Sequence, residues 1–420
     1  MAKKTLGDVA DYINGRAFKP TEWETTGKPI IRIQNLTNSS TEINRTTKSF
    51  EDKYSVKTGD LLFAWSASLG AYIWKGEDGW LNQHIFKVIP KEDVSKNYLY
   101  FYLLYVVDQL YAKAHGTGMV HITIKPFKET AIPLPSLSEQ QRIVGRIESL
   151  FAKLDEAKQK AQDVLDSFEI RKAAILHKAF TGELTAQWRK EHGVGMESWT
   201  RHKLIDILVD KPRNGYSPKP VNYVTSCKSM TLSATTSGIF KPEFFKYIDE
   251  KIPDDSHLWL MPGDILIQRA NSLDKVGTSA IYTGLKHEFI YPDLMMKLTV
   301  KEPNNKHFID YYLKTGEVLN YFRTNATGTA GNMPKINQKV VSETPLIIPE
   351  VQEQEQIVNI LDTLFAKEQQ AKEAAEKVLE QIDLTKKAIL ARAFRGELGT
   401  NDPSEESAVE LLKKTLQNAT

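Results

Sequence analysis

The sequence predicts an α+β fold: two mixed α/β heads in a pseudo-two-fold arrangement, joined by two long antiparallel coiled-coil helices. Three observations predict it. Residues 137–184 and 351–398 align without a gap, with roughly 22 identities in about 48 positions. Both stretches are rich in Ala, Leu, Lys, Glu and Gln and lack Pro, so propensity favours helix throughout. The segments preceding them correspond more weakly but in the same order.

The helices are the clearest elements. Both copies carry Glu-Gln, Ile-Val, LFAK, Val-Leu, Ala-Ile-Leu and a terminal Phe-x-Gly-Glu-Leu. From Glu139 to Phe180 a continuous helix would run about 60 Å at 1.5 Å per residue. Gly182 and Gly396 stand where a helix C-terminus favours glycine. Heptad spacing assigns inter-helix packing to Ile147, Leu154 and Ala161, with Leu150, Ala157 and Val164 at the other seam position. The second copy assigns it to Leu361, Ala375 and Ile382, with Leu364, Ala371 and Val378. The alanines at 157, 161, 371 and 375 would let two backbones approach closely, while Glu368 breaks the second stripe opposite Leu154.

In the heads, Leu6-Gly7-Asp8-Val9 matches Leu204-Ile205-Asp206-Ile207. TGDLLFAWSAS (58–68) matches PGDILIQRANS (262–272), each a glycine turn, an apolar strand and a polar tip. NYLYFYLL (97–104) matches HFIDYYLK (307–314), an aromatic-rich helix by its spacing. A Gly/Thr loop follows each, GTGMV at 116–120 and GTAGNMP at 328–334. Each head closes on an apolar, Pro-bearing strand, AIPLPSL (131–137) and TPLIIPEV (344–351). The order of parts is thus a head at 1–136, a helix at 137–184, a linker at 185–200, a head at 201–350, a helix at 351–398 and a tail at 399–420. The tail holds a candidate short helix, SAVELLKKTL, and is expected to close the scaffold against the N-terminus, the alternative being a disordered end.

The helices kept their residues while the heads changed theirs. Two heads that bind different things at a fixed separation would need that pattern. Positive charge sits on the heads, at about +3 for 1–135 and about +4 for 201–349, against about 0 and −2 for the helices. Charge so placed suits phosphate contacts. No run approaches a membrane span, the start lacks the apolar core of a signal peptide, and the single cysteine, Cys227, suits the cytoplasm. The phosphate loop of ATPases, a dinucleotide fingerprint, an Asn-Pro-Pro-aromatic run and metal-ligand spacing are all absent, so no catalytic or metal-binding residue is nominated.

The runs IPLPSLSEQQRIVGRIESLFAKLDEA and LIIPEVQEQEQIVNILDTLFAKEQQA resemble the specificity subunit of type I restriction–modification enzymes. So do the endings AILHKAFTGELTAQWR and AILARAFRGEL. GDLLFAWSASLGAYIW and NQHIFKVIP, and GDILIQRANSLDKVG in the second head, are similar to that family's target-recognition domains. The first head lacks a Trp-bearing lead-in like MESWTRHKL (196–204). The resemblance implies that each head reads half of a bipartite double-stranded DNA site and that the helices space the halves. It also implies two methyltransferase subunits and two restriction/translocase subunits as partners. S-adenosylmethionine, ATP and Mg would be bound by those partners and no cofactor by this chain. The alternative is a two-headed, non-catalytic adaptor for other macromolecules.

Candidate DNA-binding residues follow from side-chain chemistry at the tips and loops. The first head offers Trp65, Ser66 and Ser68 at its tip, His115, Thr117 and Lys125 at its loop, and Gln34 and Asn35 after the IIRI strand. The second offers Gln268, Arg269, Asn271 and Ser272 at the tip, and Thr327, Thr329, Asn332 and Lys335 at the loop. Arg takes a guanine edge bidentately and Asn or Gln an adenine edge, which favours Arg269, Asn271 and Gln268 as base readers. Arg32, Arg213 and Lys219 suit phosphate. The repeated Phe-x-Gly-Glu-Leu endings and the adjoining TAQWR are expected to help dock the methyltransferase.

Overall fold

A computed structural model describes residues 4–37, 42–113, 122–328 and 333–400. It divides into two units that cut across the repeat helices: Met1–Gln162 with Glu376–Thr420, and Asp163–Ala375. Each unit therefore takes one head, the start of the helix that follows it, and the end of the other repeat helix.

In the first unit an antiparallel sheet runs in the order Ala10–Asn14, Ile85–Pro90, Leu61–Ala64, Gly70–Ile73. The LLFA strand is apolar throughout because both of its faces are covered. Leu61 and Phe63 enter the main core, and Leu62 enters a separate cluster with Ile31, Val56 and Ile85. A second small sheet pairs Lys28–Ile31 in parallel with Gly79–Leu81. The aromatic helix Lys96–Lys113 covers the first sheet, with Tyr98, Leu99, Leu103 and Val106 buried.

The second unit repeats this plan. Its sheet runs Arg213–Asn214, Met295–Leu298, Ile265–Gln268, Ser279–Ile281, the same order of the same four parts. Ile265 and Ile267 face one core and Leu266 another. The predicted aromatic helix is Lys306–Leu313, capped by Asn305, whose side chain accepts from the His307 and Phe308 amides. Both heads keep an ion pair behind the Gly-Asp turn. Asp60 meets Lys87 at 2.9 Å, and the more deeply buried Asp264 meets Lys297 at 3.6 Å. Burial pulls the Lys297 ammonium below the ordinary lysine range, and Asp264 opposes that shift.

The identities between the repeats have local causes within each unit. Gln140 accepts from the Ser95 amide and donates to the Asp93 and Pro135 carbonyls. Gln354 does the same with the Asn305 amide and the Pro349 carbonyl, so each Glu-Gln pair pins a helix start to its own head. The LFAK phenylalanines lie against the aromatic helices, Phe151 on Phe101 at 5.7 Å and Phe365 on Tyr311 at 5.5 Å. Lys386 covers the ring of Phe151 and Lys172 that of Phe365.

The repeated phenylalanines of the helix endings are packed. Phe394 is buried among Tyr98, Tyr102 and Tyr105 of the first unit. Phe180 packs on Phe308 and Tyr312 of the second. In TAQWR, Thr185 and the buried Arg189 both donate to the Glu353 carboxylate, which also accepts from the Trp199 indole. Glu139, the matching residue, accepts from Arg142 and the Thr400 hydroxyl. Within each unit the two helical segments run antiparallel: Asp155 meets Lys386 where Glu139 meets Thr400, and Arg171 meets Glu368 where Arg189 meets Glu353.

Three expectations need correction. The first repeat is two helices, Leu137–Asp166 and Phe168–Phe180, whereas Val351–Phe394 is continuous. At the break the Ser167 hydroxyl donates back to the Asp163 carbonyl and Arg171 takes the Val164 carbonyl, so side chains compete for the helix's own acceptors. AIPLP forms one bridge, Thr5 with Ala131, because Pro133 and Pro135 lack ladder donors. Pro345–Ile348 does form a strand, paired with Thr200–Lys203 of the lead-in. Heptad spacing also misplaces two seam residues: Ala371 and Val378 are exposed. Ile147 and Leu361 are buried in cores that hold head residues together with the other repeat helix, Leu390 and Phe394 for Ile147 and Leu176 and Ala179 for Leu361. Ala161, Ala375 and Ile382 are buried, with Leu150, Leu154, Ala157, Val164 and Leu364 intermediate. A heptad count records which side is apolar, not what covers it.

Candidate nucleic-acid interface

Three segments meet at one end of each head's main sheet. In the first head, the Trp65 amide donates to the His84 carbonyl and the Ile122 amide to the Trp65 carbonyl, both bonds within 3.1 Å. The strand tip, the Asn82–His84 turn and the segment after the Gly/Thr loop are thereby held together. In the second head the Arg269 amide donates to the Leu294 carbonyl at 2.9 Å, and the Ile336 amide to the Arg269 carbonyl at 2.8 Å. Lys335 further bridges Ala270 and Thr327. The predicted tip thus meets described residues that flank the predicted loop, Ile122 in the first head and Lys335 and Ile336 in the second. The third segment was missed, although NQH and Tyr-Pro-Asp-Leu stood at matching places in the sequence.

An Asn-Gly pair closes the platform under each tip. A Cβ on Gly15 would lie 1.9 Å from the Asn82 carbonyl oxygen, and one on Gly215 would lie 2.2 Å from that of Tyr291. Only glycine lets these backbones approach so closely. The side chains above this shared frame differ. Trp65 stacks on Phe86, meets His84 edge-on, and donates its indole N–H to Asn14 at 3.0 Å. Arg269, in the same place, is half-buried and donates Nη1 to the Asp293 carbonyl at 3.2 Å. Asp293 is exposed and accepts from the Ser217 hydroxyl.

The other nominated residues sort by exposure. Ser68, Ser272, Lys125, Lys219, Thr327 and Lys335 are exposed, as is Gln34. Arg32 is half-buried and stacks over Trp23 at 5.1 Å, and Arg213 pairs with Asp210. Asn271 is half-buried and donates to the Gln268 side-chain oxygen. Gln268 is fully buried and donates to the Leu232 carbonyl and the hydroxyls of Thr235 and Thr236. It holds the tip in place and cannot reach a base edge from there. Asn35 and Ser66 are likewise buried, and the Asn35 oxygen caps a helical turn by accepting from the Arg32 amide. Lys125 belongs to the short helix Ile124–Lys128. His115, Thr117, Thr329 and Asn332 lie outside the described residues, as does nearly all of the 399–420 tail.

The model of the type I restriction modification DNA specificity domain matches residues 1–165 and again 216–381. The chain belongs to this family. As a type I specificity subunit it has relatives across bacteria and archaea. It is 26% identical over 312 residues to the EcoKI specificity subunit of Escherichia coli, covering 71% of this chain and 66% of that one. It is 24% identical to the EcoBI specificity subunit of the same species, covering 98% and 90%. The MjaVIII specificity subunit of Methanocaldococcus jannaschii is also 24% identical, with 94% and 92% covered. Two solved structures share the specificity subunit's fold at 20% identity and 94% coverage of this chain. The HsdS subunit of Thermoanaerobacter tengcongensis superposes with a TM-score of 0.61 over 97% of its chain. A chain from a study of complex assembly and conformational transition of the type I R-M system gives 0.67 over 98%.

Proposed function

We propose that each head of this specificity subunit reads one half of a bipartite double-stranded DNA target, while the repeat helices set the unread gap between the halves. The observation that carries this reading is the three-segment junction. It is built from the same backbone contacts in both heads and displays different side chains in each. Trp65, Ser68 and Gln34 would read for the first head, and Arg269, Asn271 and Ser272 for the second. Arg32, Lys125, Arg213, Lys219, Thr327 and Lys335 would position the phosphates.

Chemistry belongs to the partners in this reading. Two methyltransferase subunits dock on the helices and supply S-adenosylmethionine, and two restriction/translocase subunits bring ATP and Mg for cleavage. With the phenylalanines of the helix endings packed, the exposed apolar Ile170, Val378 and Leu384 are further candidates for docking beside the exposed residues of those endings. Among the described residues no helix is long and apolar enough to cross a membrane. Assembly would take place in the cytoplasm, where the DNA is.

The test is to co-express the chain with the methyltransferase encoded beside it and map methylated adenines. A bipartite motif with a constant gap is the expected result. Unmodified DNA with no co-purifying methyltransferase would overturn the reading.

A further inference from the structure

Two buried polar atoms at the second head's tip lack hydrogen-bond partners: the Arg269 Nε and the Asn214 Oδ1. One is a donor and the other an acceptor. Leaving either unsatisfied in a buried place is unfavourable, so a native protein that does both in one head calls for an explanation.

The first head supplies it. There Asn14 lies across Phe86 from Phe63, and Trp65, two residues beyond Phe63, donates its indole N–H to the Asn14 side-chain oxygen. In the second head Asn214 lies across Met296 from Ile267, and Arg269 is two residues beyond Ile267. The register is identical, so Arg269 occupies the place from which Trp65 reaches its asparagine. The bond made in one head is unmade in the other, with both groups still present.

We infer that Asn214 is the positioning residue for Arg269, taking its Nε–H when the second head engages DNA. The inference rests on the reading of the heads as DNA readers. In the free protein the guanidinium is tethered through Nη1 to the Asp293 carbonyl. Moving Nε onto Asn214 satisfies both orphan atoms and frees both terminal amines. An arginine held by Nε presents those two amines as a planar fork, which matches the O6 and N7 acceptors of guanine. Gly215 fixes the platform, since its close approach to the Tyr291 and Pro292 carbonyls holds Asn214 beside the turn that carries Asp293. The second head therefore specifies a guanine at one position, with Arg269 reading and Asn214 aiming.

The experiment maps the methylation motif of the full complex for wild type, Arg269→Ala, Asn214→Leu, Asn214→Asp and the Arg269→Ala/Asn214→Leu double variant. Arg269→Ala should cost about tenfold or more in discrimination at one base position of one half-site. Asn214→Leu should blur that same position, leave the other half-site sharp, and add nothing to Arg269→Ala in the double variant. Asn214→Asp keeps an acceptor oxygen in place and should retain the guanine, which a merely structural role for Asn214 does not predict. Full discrimination in Asn214→Leu, additive losses, or blurring spread over both half-sites would overturn the inference. A wild-type complex that marks no bipartite motif would overturn the underlying reading instead. If Asn214→Leu does not fold, loss of the guanine in folded Asn214→Asp would itself count against the proposal.

Discussion

At one register position of two matching sheets, the first head carries Trp65 and the second carries Arg269. The tryptophan is locked by two ring contacts and an indole hydrogen bond. Among the described residues the arginine side chain has a single tether, and its Nε is unpartnered. Beneath them the frames are alike: an Asn-Gly pair, a Gly-Asp turn with an Asp–Lys ion pair, and the same strand order. The two heads thus differ where three segments meet, and the frame holds whichever side chain is placed there. A locked aromatic face and a singly tethered cationic fork are different instruments. The first offers shape and apolar contact, the second hydrogen bonds to a base edge.

The comparison extends to the helix starts, where the largest effect is expected. Glu353 is buried with Arg189, Thr185 and Trp199 around it, so Glu353→Ala strands a buried guanidinium and should cost the second unit about 3–5 kcal/mol. Glu139→Ala removes a carboxylate whose Arg142 partner is 35% exposed, and about 1 kcal/mol is expected. Hydrogen exchange resolved by unit, together with urea unfolding, measures both. Equal losses would mean that the two carboxylates do the same work.

Next come the helix endings. Phe394→Ala empties a site walled by three tyrosines and should cost about 3–4 kcal/mol. Phe180→Ala, at a half-buried site with two aromatic neighbours, should cost about 2 kcal/mol. Both should lower thermal stability before they weaken methyltransferase binding. A variant of normal stability that fails to co-purify with the methyltransferase would support the docking role of these endings.

At the tips the effect falls on recognition. Trp65→Ala and Arg269→Ala should each relax one half-site, by about 1–3 kcal/mol of discrimination, and leave the other unchanged. Motif mapping reads this directly, and a shared loss would show that the heads do not act independently. The smallest effect is expected at Lys219 and Lys335, both exposed. Alanine there should weaken DNA binding to all sequences alike and lower the salt slope by about one. Titrations at several salt concentrations test that, and a change of motif would promote either lysine to a reader.

Much of the fold was legible because its signals are local. The ungapped repeat, the Gly-Asp turns, the apolar strands and the aromatic helices each announce themselves within a few residues. The candidate site was legible in part. Arg269 and Trp65 could be nominated from their place after an apolar strand. Gln268 has the chemistry of an adenine reader, yet it is spent on Leu232, Thr235 and Thr236, more than thirty residues away. Asn214 was not nominated, because its importance lies in an alignment of three strands that no single segment records.

The sequence by itself determined that the chain is a duplication with preserved helices and diverged heads, since identity and helical propensity are properties of the order of residues. Only the tertiary structure decided what those preserved residues touch. Ile147 and Leu361 sit at heptad spacing and are buried in cores shared by head and helix, while Ala371 and Val378 keep the spacing and are exposed. The Phe-x-Gly-Glu-Leu endings are kept because Phe394 and Phe180 must fill aromatic pockets. Periodicity states that a side is apolar. Which surface covers it depends on contacts between residues far apart in the chain, and those exist only once the chain has folded.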